Sequence, residues 1–267
     1  MEVLILYFSI YSIIGWICEC IYCAAIDRVW VNRGFLNGPV CPVYGVGSLS
    51  VIFLLSRFKD NIFLLFIIAV IITTIVEYIT AVVLEKLFNL KWWDYSNYKF
   101  NYKGRICLLN STLFGIGSVI LVKFIQPIVA VLVNGINKEY GLVISVICLI
   151  AFLVDFVVTI LSLINMKNVM ERMCAIKEEF KLLEVTIEKF NSSDLKINFN
   201  KMKDRADLNE VKTKFEEFSS ILKELKENSA VQKRLLRAFP NVKSLKYGKQ
   251  FKDLKLNLFE YWNKKKR

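Results

Sequence analysis

Apolar residues run almost unbroken through the first 166 positions, and polar residues interrupt them only in short stretches. Five of the runs reach or approach the roughly 18–20 residues that span a bilayer. They predict helices at about 3–25, 40–57, 62–88, 106–133 and 141–165. Beyond residue 166 the pattern becomes a heptad. Val169, Met173, Ile176, Phe180, Leu183, Ile187 and Phe190 step by 4 and 3, and Leu208, Val211, Phe215, Phe218, Leu222 and Leu225 do the same. Asn191-Ser-Ser-Asp194 between them is a turn signal. The expected class is all-α: a polytopic membrane bundle of about five spans over 1–166, then a cytoplasmic antiparallel coiled-coil hairpin over 167–230. An intermolecular coiled coil is the alternative. A basic amphipathic tail follows over 231–267.

The first interruption reads Asn32-Arg-Gly-Phe-Leu-Asn-Gly-Pro-Val-Cys-Pro-Val-Tyr-Gly-Val-Gly-Ser48. Irregular backbone at membrane depth is tolerated only where protein or water satisfies it. Residues 32–44 are therefore expected to dip into the mouth of the bundle, with the second helix beginning near Pro42. Free amides at that helix start would favour an anion. The plainer alternative is a folded surface loop.

A second copy of this pattern follows. Asn32-Arg-Gly34 precedes Tyr44-Gly-Val-Gly-Ser48, and Asn101-Tyr-Lys-Gly-Arg105 precedes Phe114-Gly-Ile-Gly-Ser118. From Asn to the second Gly of the pair is 15 residues in one copy and 16 in the other. Each copy follows a helix bearing carboxylates, Glu19 in the first and Glu77 and Glu85 in the second. Two parallel helix–loop–helix repeats are expected, with a fifth helix added. Repeats of this kind place sites at their interface.

Charge sets the orientation. The loops 26–39 and 86–105 hold seven Lys and Arg, and the opposite side holds three, Arg57, Lys59 and Lys138. The loops and the C-terminus are therefore expected in the cytoplasm, with the N-terminus outside. The N-terminus lacks a basic n-region and a small-residue cleavage site, so it reads as the first span. Residues 231–267 hold 12 basic residues against 2 acidic ones, interleaved with Phe239, Leu245, Phe251, Leu258 and Trp262. Arg234, Arg237, Lys243, Lys246, Lys249, Lys252 and Lys264-Lys-Lys-Arg267 are expected to meet anionic lipid headgroups rather than nucleic acid. In loop 86–105, Trp92, Trp93 and Tyr98 are expected as interfacial anchors.

Ionisable residues inside spans are costly and face a protein interior or a watery cavity. Here they are Glu19, Glu77, Glu85, Lys123 and Asp155. Glu77 and Glu85 lie eight residues apart and share one helix face. Arg33 and Arg105 emerge from the loops at the same level. Asp94 either caps a turn or pairs with Arg105. The candidate substrate-binding residues are Glu19, Asn32, Arg33, Glu77, Glu85, Asp94 and Arg105, lining a polar pocket for a charged or zwitterionic group. Structural ion pairs that pin the loops explain the same residues more plainly.

Other chemistry is narrowed by absence. The sequence has no histidine, which removes the commonest general base and metal ligand. Its seven cysteines show no disulfide or zinc spacing, and Cys20-x-x-Cys23 is read as buried structural thiols. There is no P-loop, so this chain does not bind ATP in that way. No metal and no cofactor is expected.

The motifs Gly15-Trp16-x-x-Glu19, Asn32-Arg-Gly-Phe-Leu-x-Gly-Pro39, Pro42-x-Tyr-Gly-x-Gly47, Trp93-Asp-Tyr-Ser96 and Gly104-Arg-Ile-Cys-Leu108 resemble the bacterial family called putative ABC-transporter type IV, the CmpB-like permeases. Arg234-Leu-Leu-Arg-Ala-Phe-Pro240 resembles that family's tail. The resemblance implies a transport component in the bacterial plasma membrane, energised by an ATPase on another chain. The residues also allow a membrane-embedded enzyme acting on a lipid headgroup, or a scaffold that docks a partner through its coiled coil.

Overall fold

The computed structural model describes residues 1–28, 30–192 and 230–246, with a few others at 220, 248, 251–252 and 255–256. The second arm of the expected hairpin, and most of the tail beyond 246, lie outside the described residues. Six helices are described. They are α1 (Glu2–Asp27), α2 (Pro42–Leu55), α3 (Ile62–Phe88), α4 (Leu108–Asn134), α5 (Lys138–Ser192) and α6 (Ala230–Ala238). A short hairpin pairs β1 (Asn101–Tyr102) antiparallel with β2 (Ile106–Cys107).

Four of these helices are long and apolar enough to cross a membrane: Glu2–Ala25, Ile62–Phe88, Leu108–Asn134 and Lys138–Val169. The second predicted span is shorter, since Pro42–Phe58 covers 17 residues including a closing 3₁₀ turn, Ser56–Phe58. At 1.5 Å per residue it reaches about 25 Å, less than the ~30 Å hydrocarbon core. It begins at Pro42 as expected, where the missing N–H costs nothing. The fifth helix does not stop at the membrane boundary inferred from hydropathy. α5 continues through the heptad region to Ser192, because no Gly or Pro between residues 166 and 192 interrupts the backbone. Of its seam positions, Val169 and Ile176 are buried.

The chain divides into two compact units. The first comprises residues 1–162 and 230–242, and the second 163–229 and 243–267. The first unit is built inside out relative to a soluble bundle. On α3, Ile67, Ile71, Ile75, Ile79, Val83 and Leu87 form an exposed stripe, while Glu77, Ala81, Glu85 and Phe88 are buried. The i, i+4 spacing puts apolar side chains on the lipid face and carboxylates within the protein, the arrangement a hydrocarbon solvent demands.

The halves of the unit differ. At the end away from the loops, Leu6, Tyr11, Val51, Leu55, Ala69, Leu121, Val129 and Val133 form an apolar core shared by α1 to α4. α4 carries a π-helical stretch there, Leu121–Ile125, which holds Lys123. At the loop end the polar residues gather.

Glycines set the helix spacing in both repeats. A Cβ on Gly45 would stand 2.3 Å from Ser12 Oγ and 2.7 Å from the Phe8 ring. A Cβ on Gly115 would stand 2.4 Å from Val70 and 2.9 Å from the Phe66 ring. Phe8 and Ser12 thus correspond to Phe66 and Val70, each 58 positions on, and Gly45 to Gly115, 70 positions on. The added residues lie in the longer second loop. The predicted repeat is a repeat of packing, and the same offset of 58 makes Glu19 the counterpart of Glu77.

Gly47 and Gly117, the other members of each pair, face open space, with nothing within 4 Å of where a Cβ would stand. A Gly45→Val variant should therefore lose about 1–3 kcal/mol to overpacking, whereas Gly47→Ala should be neutral or slightly stabilising. Thermal unfolding of the two variants in detergent separates these outcomes.

Candidate functional site

The loop after α1 is held from two sides. Asp155 of α5 accepts from the Asn37 amide at 2.9 Å and the Gly38 amide at 2.7 Å. Arg234 of α6 donates to the carbonyls of Gly34 at 2.7 Å and Phe35 at 3.1 Å, and reaches that of Asn32 at 3.4 Å. The amide of Cys41 bonds to the Ser12 carbonyl at 2.9 Å, and Leu36 is fully buried. The loop's amides thus meet a carboxylate and its carbonyls a guanidinium, so its backbone finds partners within the protein. Burial pulls the Arg234 guanidinium below its usual value, and the nearby Asp155 charge acts against that.

Asn32 organises the same loop. Its Oδ1 accepts from Trp16 Nε1 at 2.7 Å and from the Gly34 amide at 3.0 Å, and its Nδ2 donates to the Asn37 carbonyl at 2.9 Å. Asn101 repeats the motif in the second loop, accepting from the Gly104 amide at 3.0 Å. Lys103 (φ 53°) and Gly104 (φ 66°) are both left-handed there. Gly104 is needed twice over, since a Cβ would also meet Asp94 at 2.4 Å.

The sequence-predicted charges separate into pairs. Arg105 donates to Glu85 Oε2 through Nε at 2.8 Å and Nη2 at 2.5 Å, and its guanidinium lies 5.5 Å from the Tyr78 ring centroid. Hydrogen bonds to Glu85 raise the Arg105 guanidinium above its ordinary value. Arg33 turns away from the carboxylates, donating to the Ala238 carbonyl and stacking 5.3 Å from the Phe239 ring centroid. Asp94 does not meet Arg105. It accepts from Lys91 at 2.8 Å and from Ser96 Oγ at 2.5 Å, capping its own turn.

Trp92, expected at the membrane interface, is buried instead, edge-on to Phe35 and Phe239. The segment 230–242 thus packs into the first unit, and Arg234 is spent on the loop rather than on headgroups. The charge run alone could not disclose this, because a buried and an exposed arginine read alike in sequence.

One carboxylate pair remains. Glu19 accepts from the Tyr44 hydroxyl at 2.6 Å. Gly15, one turn earlier on α1, admits the ring, since a Cβ would stand 2.3 Å from Tyr44 Cβ and Cγ. Glu77 is buried, and the Tyr95 hydroxyl and the Asn110 side chain lie close by. Burial first, then the Glu77 charge, raises the Tyr95 hydroxyl well above its ordinary value. The two carboxylates lie within electrostatic range of each other and of Tyr95. Glu77 Oε2 is fully buried and has no hydrogen-bond partner. Tyr44 meets Phe114, its repeat counterpart, edge-on at 6.1 Å.

This junction holds Glu19 and Glu77 from the predicted list, with Tyr44, Tyr95 and Asn110 added by the fold. Tyr44 and Tyr95 lay within motifs already singled out; nothing in the sequence marked Asn110. Among the described residues, no group of three or more His, Cys, Asp and Glu converges as a metal site would require. Cys18, Cys20, Cys23, Cys41, Cys107 and Cys148 form no disulfide among the described residues.

The family model described as putative ABC-transporter type IV matches residues 6–160, and the chain belongs to that family. No solved structure matches the chain.

Arg105 is 22% exposed while its partner Glu85 is buried, so removing the arginine strands a carboxylate at a cost of about 1–3 kcal/mol. Arg105→Ala should show a loss of that order, and adding Glu85→Gln should restore part of it, both read by thermal unfolding. Arg234→Ala should loosen the first loop, and labelling of buried Cys41 by a thiol reagent should rise several-fold over wild type.

Proposed function

We propose that this family member is the membrane-embedded permease component of a transporter, energised by an ATPase carried on a separate chain. A charged solute meets Glu19 and Glu77 at the junction of the two repeats. The observation that carries this reading is that two repeat-equivalent carboxylates, Glu19 and Glu77, lie within electrostatic range of each other in helix pairs whose far end is closed by apolar packing. A site at a repeat junction changes shape whenever one pair tilts against the other, and alternating access needs that property. The positive charge of the loops puts this end of the bundle in the cytoplasm.

The other named charges serve the walls of the path. The Glu85–Arg105 pair and the Asp155–Arg234 clamp fix the two loops that frame the junction, and Asn32 and Asp94 shape their turns. The exposed basic residues Lys243, Lys246 and Lys252 contact anionic headgroups.

Tagged full-length protein, purified from native membranes in mild detergent, should bring down a stoichiometric ATPase. A deletion strain complemented with the Glu19→Gln, Glu77→Gln double variant should keep the solute and lipid profile of the deletion, although that variant still captures the ATPase. Purification of intact, abundant protein without any ATPase would overturn the permease reading. A wild-type profile from the double variant would remove the site.

A further inference from the structure

The junction carries more negative charge than its surroundings answer. The cations that the sequence offered to it are engaged elsewhere: Arg33 on the Ala238 carbonyl, Arg105 on Glu85 and Arg234 on the first loop. Near Glu77 lies a tyrosine hydroxyl, and a second carboxylate lies within electrostatic range. What faces Glu19 is the Tyr44 hydroxyl. Glu77 is 8% exposed, and one of its carboxylate oxygens is buried with no hydrogen-bond partner. Burying a carboxylate without a partner is among the more expensive arrangements a protein can hold, and the cost falls when a cation joins it.

We propose that the Glu19–Glu77 junction binds an alkylammonium cation, presented either by a small soluble amine or by the headgroup of an aminolipid. The inference rests on the placing of the site at the repeat junction made above. It names the chemistry of the ligand there. An anion or a carboxylate-leading zwitterion meets like charge at this point. A multivalent metal ion seeks six or more oxygen ligands, commonly with several carboxylates. An ammonium carries three donors on one centre. The open oxygen of Glu77 supplies a charged acceptor for one of them, and Glu19 adds a second negative charge within electrostatic range. Tyr44, Tyr95 and Phe114 supply aromatic walls, and aromatic faces attract alkylated ammonium groups. Glu19 and Glu77 come one from each repeat, so a bound ammonium would bridge the two helix pairs.

The full chain is reconstituted in bilayers lacking ethanolamine lipids, and thermal unfolding is followed while ethylammonium chloride is titrated against sodium chloride at equal ionic strength. Ethylammonium should raise the unfolding temperature saturably, and sodium should not. Glu77→Gln and Glu19→Gln should each weaken the apparent affinity about 10- to 100-fold, the loss of one charge-assisted contact. Glu139→Gln, in the first turn of α5, should leave it unchanged. Repeating the titration in bilayers containing phosphatidylethanolamine separates the sources. A shift already saturated there assigns the headgroup, and a shift still dependent on added amine assigns a soluble solute.

No saturable shift from either source would overturn the proposal, as would wild-type affinity in both glutamine variants. Should one variant fail to fold, the other decides. The outcome is independent of the ATPase capture: binding can hold in a protein that brings down no ATPase, and capture can succeed in a protein that ignores amines.

Discussion

Irregular backbone packed against other elements must find its hydrogen bonds within the protein, and the first loop of this chain finds them in two charges of opposite sign. Asp155 takes the amides of Asn37 and Gly38, and Arg234 takes the carbonyls of Gly34 and Phe35. Each charge is expensive to bury alone, and each is offset by dipoles the loop has to satisfy anyway. The two residues are brought in by α5 and α6, far along the chain from the loop. Closing the loop end therefore depends on the last elements of the first unit being in place.

The remaining architecture follows from treating hydrocarbon as the solvent. Isoleucines point outward from α3 and carboxylates inward, so the interior at the loop end is the polar phase. Gly45 and Gly115 let each returning helix lie against its partner at backbone range, and this common spacing makes the two helix pairs alike. The likeness brings Glu19 and Glu77 to equivalent positions, but the surroundings differ. Tyr44 carries a hydroxyl that answers Glu19, whereas its counterpart Phe114 carries none, and the hydroxyl near Glu77 is that of Tyr95 from the longer second loop.

The charged residues consequently fall into two groups. Glu85 with Arg105, Asp155 with Arg234 across the loop backbone, and Asp94 with Lys91 are closed pairs that hold geometry. Glu19 meets a tyrosine hydroxyl, and Glu77 leaves one buried oxygen without a hydrogen-bond partner. A uniform scatter of ion pairs would argue only for stability. The contrast between closed pairs and one open junction is what directs attention to a single place.

Much of this was legible from residue order, because hydrocarbon imposes simple rules. Run length and periodicity determined the apolar helices, the start at Pro42, the repeat and the buried carboxylates, since each depends on neighbours within a few turns. The family could likewise be read from its motifs. Partner choice could not. Whether Arg33 or Arg105 meets a carboxylate, whether Arg234 faces lipid or a loop, and whether Trp92 anchors at an interface or fills a core depend on contacts between residues tens to hundreds of positions apart. Hydropathy has no term for such contacts. It also ended the fifth helix where hydrophobicity ended, whereas α5 continues because helix propagation needs only backbone hydrogen bonds and no breaker. The sequence by itself determined which residues must be buried; the tertiary structure alone decided what each one is buried against.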